Sequence, residues 1–361
     1  FIMVFWRSFS GLFLIQIDWL SARTRMLKYS IVIPTYGRPA HLAECLASVE
    51  MQTISPQDVF VIDNNGQTET QNFVKKIVES CSSGNVKFAY HKGLINSGAV
   101  ARNYGTSLVT TELVAFLDDD VVLDKDYYEK IMDVFNEDHD IVGVQGIDMS
   151  LIESFQINVR EKFLGWFWLS VENVLEHSSI IKRKNSNLRP SLAVTHPIPD
   201  VDFSVESEWI STCAGVFRAD LFKTIEFPKQ FVKYSWNEYV YFSYSIYKNQ
   251  LGTMIYTSAP KYRNVPTDSG RLPVEELVYM AEVYDLYVFF ELFNRDVRDR
   301  LIYIKSRFGR FSIYLARVMF RKDYKFRVVL NLLKAFWLAF SNREAIKKGD
   351  LQCYDKKFPL S

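Results

Sequence analysis

Three adjacent carboxylates, Asp118, Asp119 and Asp120, interrupt the stretch Leu113–Val122, Leu-Val-Ala-Phe-Leu-Asp-Asp-Asp-Val-Val. The apolar residues before them read as a strand that buries itself in a sheet. The acids cannot follow it inside, because burying an unpaired carboxylate is costly. They are expected at the strand's carboxyl end, where open α/β sheets bind ligands. In an extended chain Asp118 and Asp120 point to the same side. Two hard oxygen ligands, with room for phosphate oxygens and water, suit Mg²⁺ or Mn²⁺. A solvated acidic turn is the plainer alternative, so the meaning of the acids depends on what the rest of the chain brings to them.

From Tyr29 onward, strand and helix patterns alternate. Ser30-Ile-Val-Ile-Pro34 reads as a buried strand stopped by proline, and Ala40–Gln52 carries Leu42, Leu46 and Val49 at helical spacing. Val59–Asp63 is a second strand, running into the turn cluster Asp63-Asn64-Asn65-Gly66. Thr70–Ser80 reads as a helix and Val86–Tyr90 as a strand. Ser97–Leu108 is a helix whose Gly98, Ala99, Ala101 and Gly105 permit close backbone approach. Glu112–Leu117, Tyr127–Asn136 and Ile141–Gly146 continue the alternation as strand, helix and strand. Such a pattern implies parallel strands joined by right-handed crossovers, with helices on both faces. Polar clusters fall where strands stop: Thr35-Tyr-Gly-Arg38, Asp63-Asn-Asn65 and Asp118–Asp120. A parallel sheet gathers these ends at one edge, giving a crevice suited to a nucleotide.

The chain has 361 residues, 48% of them hydrophobic and 24% charged, enough for a sizeable core. Its net charge of +1 conceals an asymmetry. Residues 28–294 carry 23 Lys/Arg against 35 Asp/Glu, and residues 295–348 carry 15 against 4. Cys45, Cys81, Cys213 and Cys353 form no C-x-x-C pair, which argues against a zinc ribbon or redox motif. Scattered cysteines fit a reducing, cytoplasmic setting. Phe1–Leu20 is apolar but broken by Arg7, Gln16 and Asp18, so neither a membrane span nor a signal peptide is expected there. Residues 1–27 are expected to be an N-terminal extension outside the fold.

The ordered set Ile31–Pro39, Val61–Asn65, Asn96–Asn103 with Gly105, and Phe116–Asp120 resembles family 2 glycosyltransferases. The resemblance is strong over 28–147, the nucleotide-sugar-binding half, and looser to about residue 250. It implies a GT-A fold: a Rossmann-like, mostly parallel sheet with helices on both faces, followed by an acceptor region and, here, C-terminal amphipathic helices. It implies that Pro34, Thr35, Tyr36 and Arg38 line the base and ribose pocket. Asp63 would accept a hydrogen bond from the base, and Asn64 and Asn65 depart from the family's usual continuation there. Asn96, Ser97 and Arg102 would sit by the ribose and diphosphate. Asp118 and Asp119 would flank ribose and metal, and Asp120, with Asp118, would ligate Mn²⁺ or Mg²⁺. The implied reaction is inverting sugar transfer from a nucleoside diphosphate sugar, a UDP-sugar favoured, to a glycan or lipid-linked glycan in surface-polysaccharide synthesis.

Residues 148–294 would form the acceptor and catalytic half. Phe163, Trp166, Phe167 and Trp168 would stack on acceptor sugars or fill the core, and Lys182-Arg-Lys184 is a basic patch beside them. Ala214 and Gly215 would allow close approach below the donor sugar. The family's acidic pair at a helix start is reduced here to Glu238-Tyr239. Glu238 is the candidate general base, with a helix N-terminal acid favoured by the dipole as the alternative. His196 reads as a loop residue, and no later histidine is present. The tail, 295–361, interleaves cations with apolar residues over 295–348. It would lie on the inner face of a membrane or pack against the acidic body, and no nucleic-acid motif accompanies it. A sugar nucleotidyltransferase would want a Gly-rich loop after the first strand, which Pro34–Arg38 is not. A non-catalytic nucleotide-sugar-binding or membrane-docked subunit is the alternative outside enzymology.

Overall fold

A computed structural model of the chain describes residues 27–64, 68–81, 84–90, 96–150, 152–153, 180–181, 186–196, 202–265, 271–293, 296–320 and 326–359. The N-terminal extension to residue 25, Asn65, the aromatics Phe163 to Trp168 and the basic patch 182–184 lie outside the described residues.

In chain order the first half runs β1 (Tyr29–Thr35), α1 (Pro39–Glu50), β2 (Asp58–Asp63), α2 (Thr68–Ser80), β3 (Val86–Tyr90), α3 (Gly98–Ser107), β4 (Leu113–Phe116), β5 (Val121–Leu123), α4 (Tyr127–Glu137) and β6 (Ile141–Asp148). The second half contains β7 (Ile180–Ile181), β8 (Thr195–His196), β9 (Ser204–Glu206), β10 (Val216–Arg218), α5 (Glu238–Lys248) and β11 (Thr253–Asn264). Five helices close the described chain: α6 (Val274–Leu292), α7 (Val297–Phe320), α8 (Phe326–Ser341), α9 (Arg343–Ile346) and α10 (Gln352–Lys357). His196 falls in the short strand β8, not in a loop, because it pairs with Ile181.

Nine strands form one sheet in the order β3-β2-β1-β4-β10-β6-β11-β5, with β9 added on β11. The pairs β3–β2, β2–β1, β1–β4 and β6–β11 are parallel. β10 runs antiparallel between β4 and β6. The chain leaves β1 for β2 and β3, then returns to β4 on the other side of β1, so the order reverses between β1 and β4. Open α/β sheets bind ligands at such a reversal.

The strand β1 is buried on both faces, and its side chains alternate between two cores. Ile31 and Ile33 join Val59, Val61, Leu42 and Tyr128 on one face. Val32 joins Phe116, Phe217 and residues of α5 and α6 on the other. Pro34 does not stop the strand, which continues to Thr35. Pairing with β4 ends at Val32, so the N–H that Pro34 lacks falls where β4 no longer runs alongside. Helix α3 lies close over β1 because Gly105 has no side chain: a Cβ there would stand 2.3 Å from Val32 Cγ1.

Candidate active site

The reversal between β1 and β4 brings the first and third polar clusters into contact. Thr35, the last residue of β1, donates to Asp119 Oδ2 at 2.7 Å. Arg38, three residues on, donates to Asp119 Oδ1 at 3.0 Å and Asp120 Oδ2 at 2.9 Å. Asn64, after β2, donates its backbone N–H to Thr35 O at 3.0 Å and its side-chain amide to Asn96 Oδ1 at 3.1 Å. The ends of β1, β2 and β4 and the entry to α3 therefore meet at one place.

The acids are not arranged as an extended strand would arrange them. The chain turns at Asp119 and Asp120, with Val121 N bonded to Asp118 O at 3.2 Å. The turn gives Asp119 and Asp120 to Arg38 and sends Asp118 to Arg102, whose Nη2 lies 2.5 Å from Asp118 Oδ1. The extended geometry expected for Asp118–Asp120 is thus replaced by a turn, and Asp118 still acts on the Asp120 carboxyl. Burial, with Asp118 and Asp119 nearby, pushes the Asp120 carboxyl up to about 7. Burial also raises Asp119, against the pull of Arg38 and Thr35.

Arg102 reaches across the site. Its Nη1 donates to Glu238 Oε1 in a buried ion pair, while Nη2 holds Asp118. Gly98 leaves room for this clasp, since a Cβ on it would come within 3.2 Å of Arg102 Nη1 and 3.5 Å of both Glu238 oxygens. Glu238 is the first residue of α5 and is 5% exposed. Its Oε2 is buried without a hydrogen-bond partner. Burial raises its carboxyl to about 7, although Arg102 acts to lower it.

The segment entering α5 is strained in a regular way. Lys233, Ser235 and Asn237 have φ of 53°, 52° and 61°, in the left-handed region that non-glycine residues seldom occupy. Each is pinned to a different neighbour. Lys233 Nζ lies 2.5 Å from Glu276 Oε1 on α6. Ser235 Oγ accepts from Ala99 N at 3.2 Å, at the start of α3. Asn237 Nδ2 donates to Asp285 Oδ1 on α6 at 2.7 Å. Asp285 Oδ1 also accepts from Trp236 Nε1 at 2.9 Å, and Oδ2 receives Arg307 at 2.7 Å and Arg310 at 2.8 Å from α7. Burial alone would raise Asp285, but Arg310 and Arg307 overcome it and hold the carboxyl below its usual range.

These groups surround a cavity of about 640 Å³. Of the residues expected from sequence, Pro34, Thr35, Tyr36, Arg38, Asn64, Asn96, Arg102, Asp118, Asp119 and Glu238 line it. Asp63, Ser97 and Asp120 are buried and do not line it. Ser97 is spent inside the fold: its hydroxyl accepts from Val100 N at 3.1 Å, capping α3, and lies 2.5 Å from Phe231 O. Ala214 is likewise a core residue whose carbonyl accepts from Tyr127, and Cys213 faces the cavity in its place. Trp236, Asn237, Asp285 and Arg310 also line the cavity and were not singled out from sequence. A signal for two of them was present, since Glu282 and Asp285 sit three apart within the apolar run of α6 and need buried cations.

Residues 30–196 match the family described as Glycosyl transferase family 2. This segment is a family 2 glycosyltransferase domain. The chain is 34% identical over 104 residues to validoxylamine A glucosyltransferase of Streptomyces hygroscopicus subsp. limoneus, covering 28% of this chain and 22% of that protein. It is 30% identical over 129 residues to poly(ribitol-phosphate) beta-N-acetylglucosaminyltransferase TarP of Staphylococcus aureus, covering 34% of this chain and 38% of the relative. These matches thus span well under half of either relative's length. The crystal structure of S. aureus TarS 1-349 in complex with UDP-GlcNAc covers 91% of this chain and 89% of its own, at 15% identity and a TM-score of 0.52. That likeness is one of fold, a GT-A-like arrangement over most of the chain. Glu238 lies beyond the family 2 segment, so the clasp by Arg102 joins the matched part of the chain to the part after it.

A divalent ion is implied by the fold family, and here the carboxylates that would meet it are already paired with guanidiniums. Four carboxylates, Asp118, Asp119, Asp120 and Glu238, are in direct contact with two guanidiniums, Arg38 and Arg102. Among the described residues no group of three or more His, Cys, Asp or Glu side chains is arranged to hold a metal ion. An ion that keeps phosphate and water ligands needs only one or two carboxylates.

Proposed function

We propose that the chain transfers a sugar, with inversion, from a nucleoside diphosphate sugar to a hydroxyl of a glycan or lipid-linked glycan in surface-polysaccharide assembly. A UDP-sugar is the favoured donor. The observation that carries the reading is Glu238: a buried carboxylate at the cavity with one oxygen clasped by Arg102 and the other unpartnered. UDP-GlcNAc in the TarS structure and the polymer named for TarP agree with a UDP donor and a polymeric acceptor.

In this reading Pro34, Thr35 and Tyr36 form the base and ribose wall, with Asp63 behind it as the acceptor for a base N–H. Asn64 and Asn96, bonded to each other, shape the ribose edge. Glu238 Oε2 takes the proton of the acceptor hydroxyl as its oxygen attacks C1 of the sugar. The new C–O bond forms as the bond from C1 to the diphosphate oxygen breaks, and the electron pair leaves with the nucleoside diphosphate. Arg38 and Arg102 supply fixed positive charge beside that leaving group. Mg²⁺ or Mn²⁺ held by Asp118 and Asp120 would add Lewis-acid stabilisation of the diphosphate.

The test is calorimetric titration of UDP, GDP and dTDP, with and without Mn²⁺, into wild type and Asp120→Ala. Metal-dependent binding of one diphosphate, lost in the variant, is expected, and incubation with matching sugar donors then yields an inverted product. Absence of binding by all three would sink the reading and bring the non-catalytic alternative forward.

A further inference from the structure

The cationic tail is not one feature. Arg307 and Arg310 of α7 face inward, where their side chains are 6% and 14% exposed and bonded to Glu282 and Asp285. That part of the tail neutralises the acidic body. Helix α8 is different. Val329, Leu332, Ala335 and Ala339 are buried, on the face that packs against α6 and α7. The other face carries Phe326, Leu330, Leu333, Trp337 and Phe340, at intervals of four, three, four and three residues and between 42% and 68% exposed. The helix is apolar on both sides, a pattern that calls for a partner on each. A stripe of five such side chains is larger than the scattered apolar residues a solvated surface ordinarily shows.

Charge selects the partner. Helix α8 contains Arg327 and Lys334 and no acid, and Arg343, Lys347 and Lys348 follow within one short stretch, with Glu344 as its one acid. Arg327 reaches Glu275 through an exposed 3.1 Å pair, and the Arg343 guanidinium sits 4.8 Å from the centre of the Phe340 ring. A second copy docked on this stripe would bring the same cations against each other. An anionic lipid surface accepts both the apolar stripe and its cationic border. With 16 residues, α8 is about 24 Å long, short of the roughly 30 Å hydrocarbon core. Among the described residues no helix is long and apolar enough to cross a membrane. We propose that the outer face of α8 docks the protein on an anionic phospholipid bilayer, with Leu333, Trp337 and Phe340 entering the headgroup boundary and the helix lying in the membrane plane. The surface is distinct from the cavity and does not depend on its chemistry.

The experiment is co-sedimentation of the full chain with vesicles of phosphatidylcholine alone or of equimolar phosphatidylcholine and phosphatidylglycerol, at low and high salt. Light scattering is run in parallel to read oligomeric state. Wild type is expected to bind the anionic vesicles at least about tenfold more tightly than the neutral ones, and less tightly in high salt. Leu333→Glu combined with Trp337→Glu should weaken that binding by about tenfold or more while leaving the melting curve unchanged. Lys347→Glu combined with Lys348→Glu should remove most of the anionic preference. Wild type that stays in the supernatant, or variants that sediment like wild type, would overturn the proposal. So would a wild-type dimer dispersed by the Leu333 and Trp337 changes, which would assign the stripe to a second copy.

Discussion

Asp285 on α6 accepts a 2.7 Å hydrogen bond from Asn237, the residue that enters α5 in a left-handed conformation immediately before Glu238. The other oxygen of the same carboxylate carries Arg307 and Arg310. The candidate base is thus aligned by a residue on one C-terminal helix, and that residue is charged by another.

Breaking this hub should cost stability before anything else. Asp285→Asn keeps the shape but leaves two buried guanidiniums to share Glu282 as their one carboxylate, and a loss of about 3–5 kcal/mol is expected in urea unfolding at neutral pH. The sign with pH follows from the depressed carboxyl. Its contribution is present above the unfolded value of about 3.9 and is lost as pH falls through the lower folded value. The difference between wild type and variant should therefore persist at pH 5 to 7, as flagged by that roughly 3.9 threshold, and shrink only in stronger acid.

Asn237 separates backbone from side chain. Asn237→Gly accepts a φ of 61° freely but drops the bond to Asp285, so kcat is expected to fall by about tenfold with donor affinity unchanged. Asn237→Val meets the left-handed penalty as well and should cost roughly 1–2 kcal/mol more in stability. Equal kinetics for Asn237→Gly and wild type would mean that the tether does not orient Glu238.

Glu238→Gln should reduce transfer by about 10²–10⁴-fold while nucleotide binding persists. A base acts only when deprotonated. With its carboxyl raised to about 7 by burial, the wild-type rate should climb through neutral pH and level off above it. The glutamine variant should lack that rising limb. A flat wild-type profile from mildly acidic to alkaline pH would argue against Glu238.

Gly105→Ala tests the seat of α3. The added Cβ would stand 2.3 Å from Val32 Cγ1, against a fully buried strand that has little room to yield. A loss of about 1–3 kcal/mol is expected from overpacking. Donor affinity should also fall, because α3 carries Arg102.

Most of the first half was legible because its signals are local. The run Ser30–Pro34 can only be a buried strand, and Asp118–Asp120 can only follow one. The sequence also pointed to Arg38, Arg102 and Glu238 through the family resemblance. What it did not indicate depends on partners far along the chain. The turn that divides Asp118 from Asp119 and Asp120 is set by Arg102 and Arg38, which are 16 and about 80 residues away in sequence. The hub at Asp285 gathers groups from 236, 237, 307 and 310, and no periodicity links them. Ser97 was named beside the ribose and diphosphate through the family resemblance, and the fold uses its hydroxyl as a helix cap.

The antiparallel strand β10 has a consequence for the order in which the protein can be made. Residues 216–218 sit between β4 and β6, so the strand that leads into the acids has no partner on that side until the ribosome has passed the middle of the chain. A nascent chain ending near residue 147 would leave β4 open on one side and β5 and β6 without their sheet partners, which come from β10 and β11. Closure of the sheet beside β4 therefore waits on a segment from the second half of the chain, and a truncated first half should aggregate through those edges instead of folding alone.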